Sequence, residues 1–432
     1  MQYSKYKRIV IGLIFVNYLL ITQTSLALQK ADTLAINLQE AEAQFLSNNI
    51  QLLEQRYSID SAKANIITAK LYDNPVFSYA NGFYQPDTKK LFDFSKDNWE
   101  AASQISQLIK TAGKRNKAIQ VAQTGAQITE YQFYDLLRTL RFTLRDDFYN
   151  MYYLQQSAKV YNQEIQSLQK TTAAFEEQVQ KGNIAQKELI RIKSQSYTLQ
   201  AELASLQNLI DDVQSEFKLL IRAKADAYII PVANIKEELK NIISDVSYQS
   251  LVDSAYQNRY DLKIAKANIV LTQQNLKLQK ALAKPDITVG ASYDRLGSYV
   301  KNFNSIGVSI PLPLFNRNQG NIKQANVMIG SGKLQLTGMQ DQLESEVANR
   351  YLGAVRAEKL LNSFDPGFPA DFDNLIGEVL KNYEKRNLTM LEFIDFYDSY
   401  KQNVLQLNNL RYNRISQLEQ LNFATSSRIF NK

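Results

Sequence analysis

Between residues 284 and 320 the apolar positions alternate. Ile287, Val289, Ala291 and Tyr293 are separated by Thr288, Gly290 and Ser292, and Ile306, Val308 and Ile310 by Gly307 and Ser309. A period of two predicts strands with one apolar and one wet face. The same alternation occurs earlier, where Phe77, Tyr79 and Phe83 interleave with Ser78, Ala80 and Gly82, and a weaker run follows at 99–110. Two pairs of strands are predicted, over residues 75–111 and 285–317.

Elsewhere the period is helical. Residues 38–70 carry Ala41, Phe45, Leu46, Leu52, Leu53, Ile59 and Ile67. From Gly113 the steps of three and four persist: Met151, Leu154, Ala158, Tyr161, Ile165, Leu168, Phe175 and Val179 make a coiled-coil seam. After Gly182 and Asn183 a second seam begins at Leu189, Ile192, Leu199, Leu203, Leu206 and Ile210. No proline falls between Pro86 and Pro231, which permits helices of unusual length. About 70 residues of helix would run about 100 Å.

The boundaries between the two periods carry the expected residues. Pro75 and Pro285 each push the preceding residue out of the helical region. Gly113 and Gly320 are placed to swivel the backbone from strand to helix. Pro311 and Pro313 are placed to end the last strand.

The chain repeats itself once. A shift of 210 residues puts Leu52 on Leu262, Ile59 on Ile269, Pro75 on Pro285 and Tyr79 on Val289; a shift of 207 puts Gly113 on Gly320. A shift of 204 puts Gly182 and Asn183 on Arg386 and Asn387, Ile184 on Leu388 and Glu188 on Glu392. The unit helix, strand, strand, long helix, turn, helix therefore occurs at about 38–222 and 247–424, joined by a connector at 223–246. Four strands leave two bare edges, which a membrane forbids, so the strands must close with those of other subunits. Three protomers would give twelve strands, an even number in the usual barrel range.

Composition narrows the chemistry. Residues 1–27 read as a secretory leader, with Lys5, Lys7 and Arg8 before an apolar stretch and Ser25 to Ala27 at the cleavage end; residues 28–432 then form the mature chain. There is no cysteine to acylate or oxidise and no histidine. Imidazole and thiolate metal sites and Ser-His or Cys-His nucleophiles are thereby excluded, and no enzyme activity or cofactor is expected. The net charge of +7 includes the leader's three cations, a balance that does not suggest nucleic acid. No further run is long and apolar enough for a spanning helix.

The order and wording of these motifs resemble TolC-type outer-membrane efflux factors, over about 38–424. The most specific stretch, KPDITVGASY followed by GVSIPLPLFNRNQGNIKQA, is similar to the branch that serves heavy-metal or cation efflux. The two tip stretches, FEEQVQKGNIAQKEL and VLKNYEKRNLTMLEFID, fit the same family. The resemblance implies a mainly α protein with a small antiparallel β part: a homotrimer in the outer membrane of a Gram-negative cell, with a twelve-stranded barrel in outer-membrane lipid and a periplasmic helical tunnel. It also implies a periplasmic adaptor (membrane fusion) protein and an inner-membrane efflux pump as partners, with metal cations a candidate cargo.

By that resemblance the tip turns are Gly182, Asn183, Asn387 and Leu388. Glu392 and Asp395 match the acidic rings of the constriction, Tyr383 the gating tyrosine and Glu188 an acid of the iris lock. Two departures stand out: Arg386 replaces the tip glycine, and Leu388 the gating arginine. Glu392 and Asp395 are three apart and share a helical face, which also describes an ordinary solvated pair; Glu188 and Arg191 share that spacing. Tyr79, Phe83, Trp99 and Tyr293 are candidates for a membrane-interface girdle. A rival reading, a periplasmic adaptor or coiled-coil scaffold, leaves the duplicated strand pairs without a purpose.

Overall fold

The computed structural model describes residues 32–234, 243–296, 300–364, 375, 378–379, 381–383, 385 and 387–430. The leader at 1–27, Arg386, residues 365–374 and part of the connector lie outside the described residues. The main elements are β1 (Thr33–Asn37), α1 (Leu38–Asn48), α2 (Ile50–Lys70), β2 (Val76–Asn81), β3 (Ala101–Ile109), α3 (Lys114–Gln180), α4 (Gln186–Ile221), β4 (Tyr228–Val232), α5 (Tyr248–Asn258), α6 (Tyr260–Leu282), β5 (Ile287–Asp294), β6 (Phe303–Ser309), α7 (Gln319–Asn362) and α8 (Met390–Thr425). A short ladder of Tyr84–Gln85 with Lys90–Leu91 lies between β2 and β3.

The strands and long helices follow the two periods of the sequence, and α3 alone runs 67 residues. Two regions depart from them. The stretch 38–70 is broken at Asn49, which is extended at φ −62°, ψ 121°. The equivalent stretch of the second repeat is broken at Arg259, at φ −62°, ψ 124°. The connector carries a strand, β4, which pairs in parallel with β1. Gln214 holds β4 in place, accepting from Ile229 N at 3.0 Å.

The chain folds into two compact units, and each repeat contributes to both. One unit draws on the described residues within Met1–Asn49, Thr143–Lys240 and Lys359–Ser416. Its core joins the two predicted seams: Tyr161, Ile165 and Leu168 from α3, Ile192, Leu199 and Leu203 from α4, with Val379, Tyr383, Met390, Phe393 and Ile394. The other unit draws on Ile50–Phe142, Asn241–Glu358 and Gln417–Lys432. Its core gathers Leu251, Val252, Ala255, Leu262, Leu343, Val347, Leu418 and Leu421, and it carries the main sheet.

That sheet is antiparallel in the order β2-β3-β5-β6. The strands of one repeat therefore pair with the strands of the other through β3 and β5. Its base is fixed to the helices that follow. Lys114 Nζ lies 2.7 Å from Asp286 Oδ1, and Thr111 N donates to the same oxygen at 2.8 Å. Gly113 turns into α3 at φ +65°. At the second junction the left-handed residue is Asn318, φ +59°, and Gly320 already lies inside α7. The swivel assigned to Gly320 belongs to Asn318, whose short amide tolerates this region and donates to Gln279 O at 2.8 Å.

Candidate functional site: sheet edges and helical tips

The register of the sheet sorts its side chains into two faces. Phe77 faces Ile105, Ile105 faces Ala291 and Ala291 faces Ile306; Gln107, Val289 and Val308 follow in line, as do Tyr79, Ser103, Tyr293 and Asn304. On the opposite face lie Ser78, Gln104, Ser292 and Ser305, and next to them Ser106, Gly290 and Gly307. One face is thus rich in large apolar groups and the other in small or polar ones, which is the pattern of a strand between lipid and water.

The apolar face is not covered by the protomer. Ile306 is 84% exposed and Phe77 68%. Among the described residues no strand pairs with the outer edges of β2 and β6. Of the candidate girdle residues, Tyr79 and Tyr293 lie on the apolar face, whereas Trp99 donates to Asn81 Oδ1 at 2.8 Å and carries the Arg295 guanidinium 4.4 Å above its ring.

The tips are built alike in both repeats. Asn183 N donates to Gln178 O and Asn387 N to Asn382 O, each at 2.9 Å. The side-chain amides repeat the match, Asn183 to Gln178 at 2.9 Å and Asn387 to Asn382 at 3.3 Å. Such bonds satisfy carbonyls left over at a helix end. Gly182 makes the first turn possible at φ +73°. Leu388 packs onto the apolar core, so the position supplies no charge.

The predicted acids fall in different settings. Glu392 Oε2 accepts from Thr389 N at 2.8 Å and from Thr389 Oγ1 at 2.7 Å, while Glu392 N donates back to Thr389 Oγ1 at 3.3 Å. This is a capping box at the start of α8, and those bonds hold the exposed carboxyl below its ordinary range. Asp395 is exposed three residues further on. Glu188 is half-buried and lines a groove of about 660 Å³ with Phe175, Ile184, Tyr383, Leu388 and Met390. Tyr383 is 7% exposed. Its ring stacks on Phe393 at 4.2 Å and its hydroxyl donates to Met390 Sδ at 3.2 Å. Burial, and then the charge of Glu188, raise its pKa.

A polar cluster inside the helical unit has no counterpart in the sequence reading. Lys401 is buried and pairs with Glu202 at 2.9 Å and Asp398 at 3.5 Å, and Gln195 donates to Asp398 at 2.8 Å. Glu164 is buried beside them with Oε1 unpartnered. Its desolvation, opposed by Lys401 and reinforced by Asp398 and Glu202, pushes its pKa up to about 8. The signal in the sequence is an acid three residues after Tyr161 and next to Ile165, inside the seam.

Residues 41–219 match the outer membrane efflux protein family model. The cobalt-zinc-cadmium resistance protein CzcC of Cupriavidus metallidurans is 20% identical over 291 residues, which are 67% of this chain and 66% of the relative. A membrane protein from Pseudomonas aeruginosa superimposes with TM-score 0.72 at 14% identity, covering 90% of this chain and 92% of that one. CusC superimposes with TM-score 0.70 at 15% identity, with the same two coverages. The fold shared with these two structures therefore extends past the matched segment into the second repeat.

Proposed function

We propose that the chain is one third of the exit duct of a tripartite efflux system in the outer membrane of a Gram-negative cell. The observation that carries this reading is the four-stranded sheet. Its apolar face is bare, its opposite face is small and polar, and both edges lack partners among the described residues. Unpaired backbone groups are not tolerated in hydrocarbon, and three such sheets close into one barrel. A coiled-coil scaffold would have no use for such a sheet.

The duct conducts passively what an inner-membrane pump and a periplasmic adaptor deliver, and the tips are where the adaptor docks. At the second tip Asp395 and Glu392 are the acids of the constriction, with Asp395 free of the capping bonds that hold Glu392. Tyr383 and Glu188 act there as a packed hinge rather than as an open latch. The cargo is divalent metal cations, a class the name of the CzcC relative supports. With no histidine or cysteine in the chain, metal selectivity belongs to the pump.

Membrane fractionation and growth of a deletion strain test this together. The protein is expected in the outer-membrane fraction, extractable only by detergent and as a trimer, and the strain is expected to lose tolerance to cobalt, zinc or cadmium. A soluble periplasmic monomer would overturn the duct. Unchanged tolerance to all three metals would overturn the cargo.

A further inference from the structure

The internal repeat carries information about a contact that lies outside a single subunit. Within the protomer the first repeat's outgoing strand, β3, pairs with the second repeat's incoming strand, β5. If subunits close a barrel, the second repeat's outgoing strand, β6, meets the first repeat's incoming strand, β2, of the next subunit. The two seams join equivalent elements. We propose that they share one register, so that Val308, Ile310 and Leu312 of one subunit lie opposite Phe83, Asn81 and Tyr79 of the next. This rests on the duct reading above and adds to it the residues of the seam.

The register follows from pairs already in the sheet. Incoming strands correspond by the shift of 210, Asn81 with Ala291. Asn81 faces Ala101 and Ala291 faces Ile306, while Tyr79 faces Ser103 and Val289 faces Val308, so outgoing strands correspond by 205. The internal seam places Ser103 opposite Tyr293, Ile105 opposite Ala291 and Gln107 opposite Val289. Carried through both shifts, these become Val308 with Phe83, Ile310 with Asn81 and Leu312 with Tyr79. Ser106 with Gly290 becomes Pro311 with Ala80.

Three independent features fit. First, Val308 and Tyr79 lie on the apolar face of Ile306, and Ile310, Leu312 and Phe83 keep the same alternation beyond the ends of β6 and β2, so in this register the lipid-facing surface runs unbroken across the seam. A slip of one residue would turn the whole set to the wrong side. Second, these groups are bare in the protomer, Leu312 being 74% exposed.

Third, the prolines fall on the harmless side. Arg295 N donates to Ala101 O and Gly82 N to Glu100 O, so odd-numbered residues of β3 direct their backbone groups to β5 and even-numbered ones to β2. By the shift of 205, residues 308, 310 and 312 direct theirs to the neighbouring subunit. Pro311 and Pro313 face their own β5, past the last paired residues Thr288 and Ser309. The missing N–H groups cost the seam nothing. Leu314 N donates to Leu312 O at 2.9 Å, a tight turn that ends the seam there.

The absence of native cysteine makes the test direct. Ala80→Cys is combined in turn with Ser309→Cys, Pro311→Cys and Pro313→Cys, and outer membranes are oxidised before denaturing electrophoresis; native mass in detergent is measured alongside. The expected result is a native trimer for each variant and a covalent trimer for Ala80→Cys with Pro311→Cys, at least tenfold above the other two pairs and absent from single variants. A native trimer that cross-links best through position 309 or 313, or through none, overturns the register while leaving the duct intact. A monomer in detergent overturns the duct and the seam with it.

Discussion

Asn49 and Arg259 stand 210 residues apart and make the same contact. Asn49 Nδ2 donates to the carbonyl of Leu220 at 3.1 Å, and Arg259 Nη1 to the carbonyl of Ala424 at 3.3 Å. Each donor sits at an extended break between two helices. Each acceptor lies in the last turn of a helix, α4 or α8, where carbonyls lack an intrahelical partner. The residues just beyond, Arg222 and Ser426, are both left-handed, at φ +56° and +51°. The side chains differ, yet the two repeats solve the same backbone problem at the same place.

The two breaks differ in what else they hold. Arg259 is buried with Asp261 at 2.5 Å and Glu346 at 2.6 Å. Replacing it with methionine takes the cation from Glu346 and leaves Asp261 only Arg138, 3.6 Å away, and is expected to destabilise the chain by about 3–5 kcal/mol. Asn49→Ala removes a buried donor and is expected to cost about 1–3 kcal/mol. Urea unfolding followed by circular dichroism in detergent measures both, and Arg259→Met should shift the midpoint further.

Buried acids in the helical unit make stability depend on pH. Glu164 titrates near 8 in the folded chain because of its burial, against an ordinary value of 4.5. Asp147 is likewise held up to about 8 by burial and by Glu216 and Asp146, against 3.8. A folded pKa above the unfolded one means that the native state binds the extra proton. Stability is greatest below the unfolded values and falls as pH rises toward 8, by at most about 1.4 kcal/mol per pH unit for each group. Glu164→Gln is expected to flatten that slope between pH 5 and 8, as read from melting temperature across the range. An unchanged slope would show that Glu164 does not carry it.

At the second tip, charge and capping can be separated. Thr389→Ala breaks the capping box without removing an acid and is expected to cost about 0.5–2 kcal/mol of local stability. Asp395→Asn removes an exposed charge and leaves the cap intact. Block of single-channel current by multivalent cations should weaken severalfold in Asp395→Asn and stay within twofold of the parent in Thr389→Ala.

Gly182 holds a conformation that costs other residues about 1–2 kcal/mol. Gly182→Ala is expected to raise hydrogen exchange at Asn183 and Lys181 several-fold without altering exchange in β3 or β5. Uniform change across the chain would point to a global effect instead.

Much of this was legible in the sequence because the patterns are long. The alternating runs, two in each repeat, gave the four strands of the sheet, and the seams through Leu168 and Leu199 became the helical core. What was hidden has a local cause. Asn49 and Arg259 interrupt runs whose apolar spacing continues on both sides, so the breaks depend on partners at Leu220 and Ala424. The strand at Tyr228–Val232 is five residues long and pairs in parallel with a strand nearly 200 positions earlier, a contact that no window reveals. Asn318 took the role expected of Gly320 because left-handed backbone admits asparagine as well as glycine. Glu392 and Asp395 look alike along the chain, and it is Thr389, bonded to Glu392 through its backbone N and its hydroxyl, that sets them apart.

The central claim is that this chain forms a water-filled passage through the outer membrane. Its most direct test is the conductance of the purified, detergent-extracted protein in a planar bilayer. The account predicts discrete, cation-sensitive steps from a trimeric fraction, with block relieved in the double variant Glu392→Ala, Asp395→Ala. A protein that stays soluble without detergent and leaves the bilayer silent would contradict it.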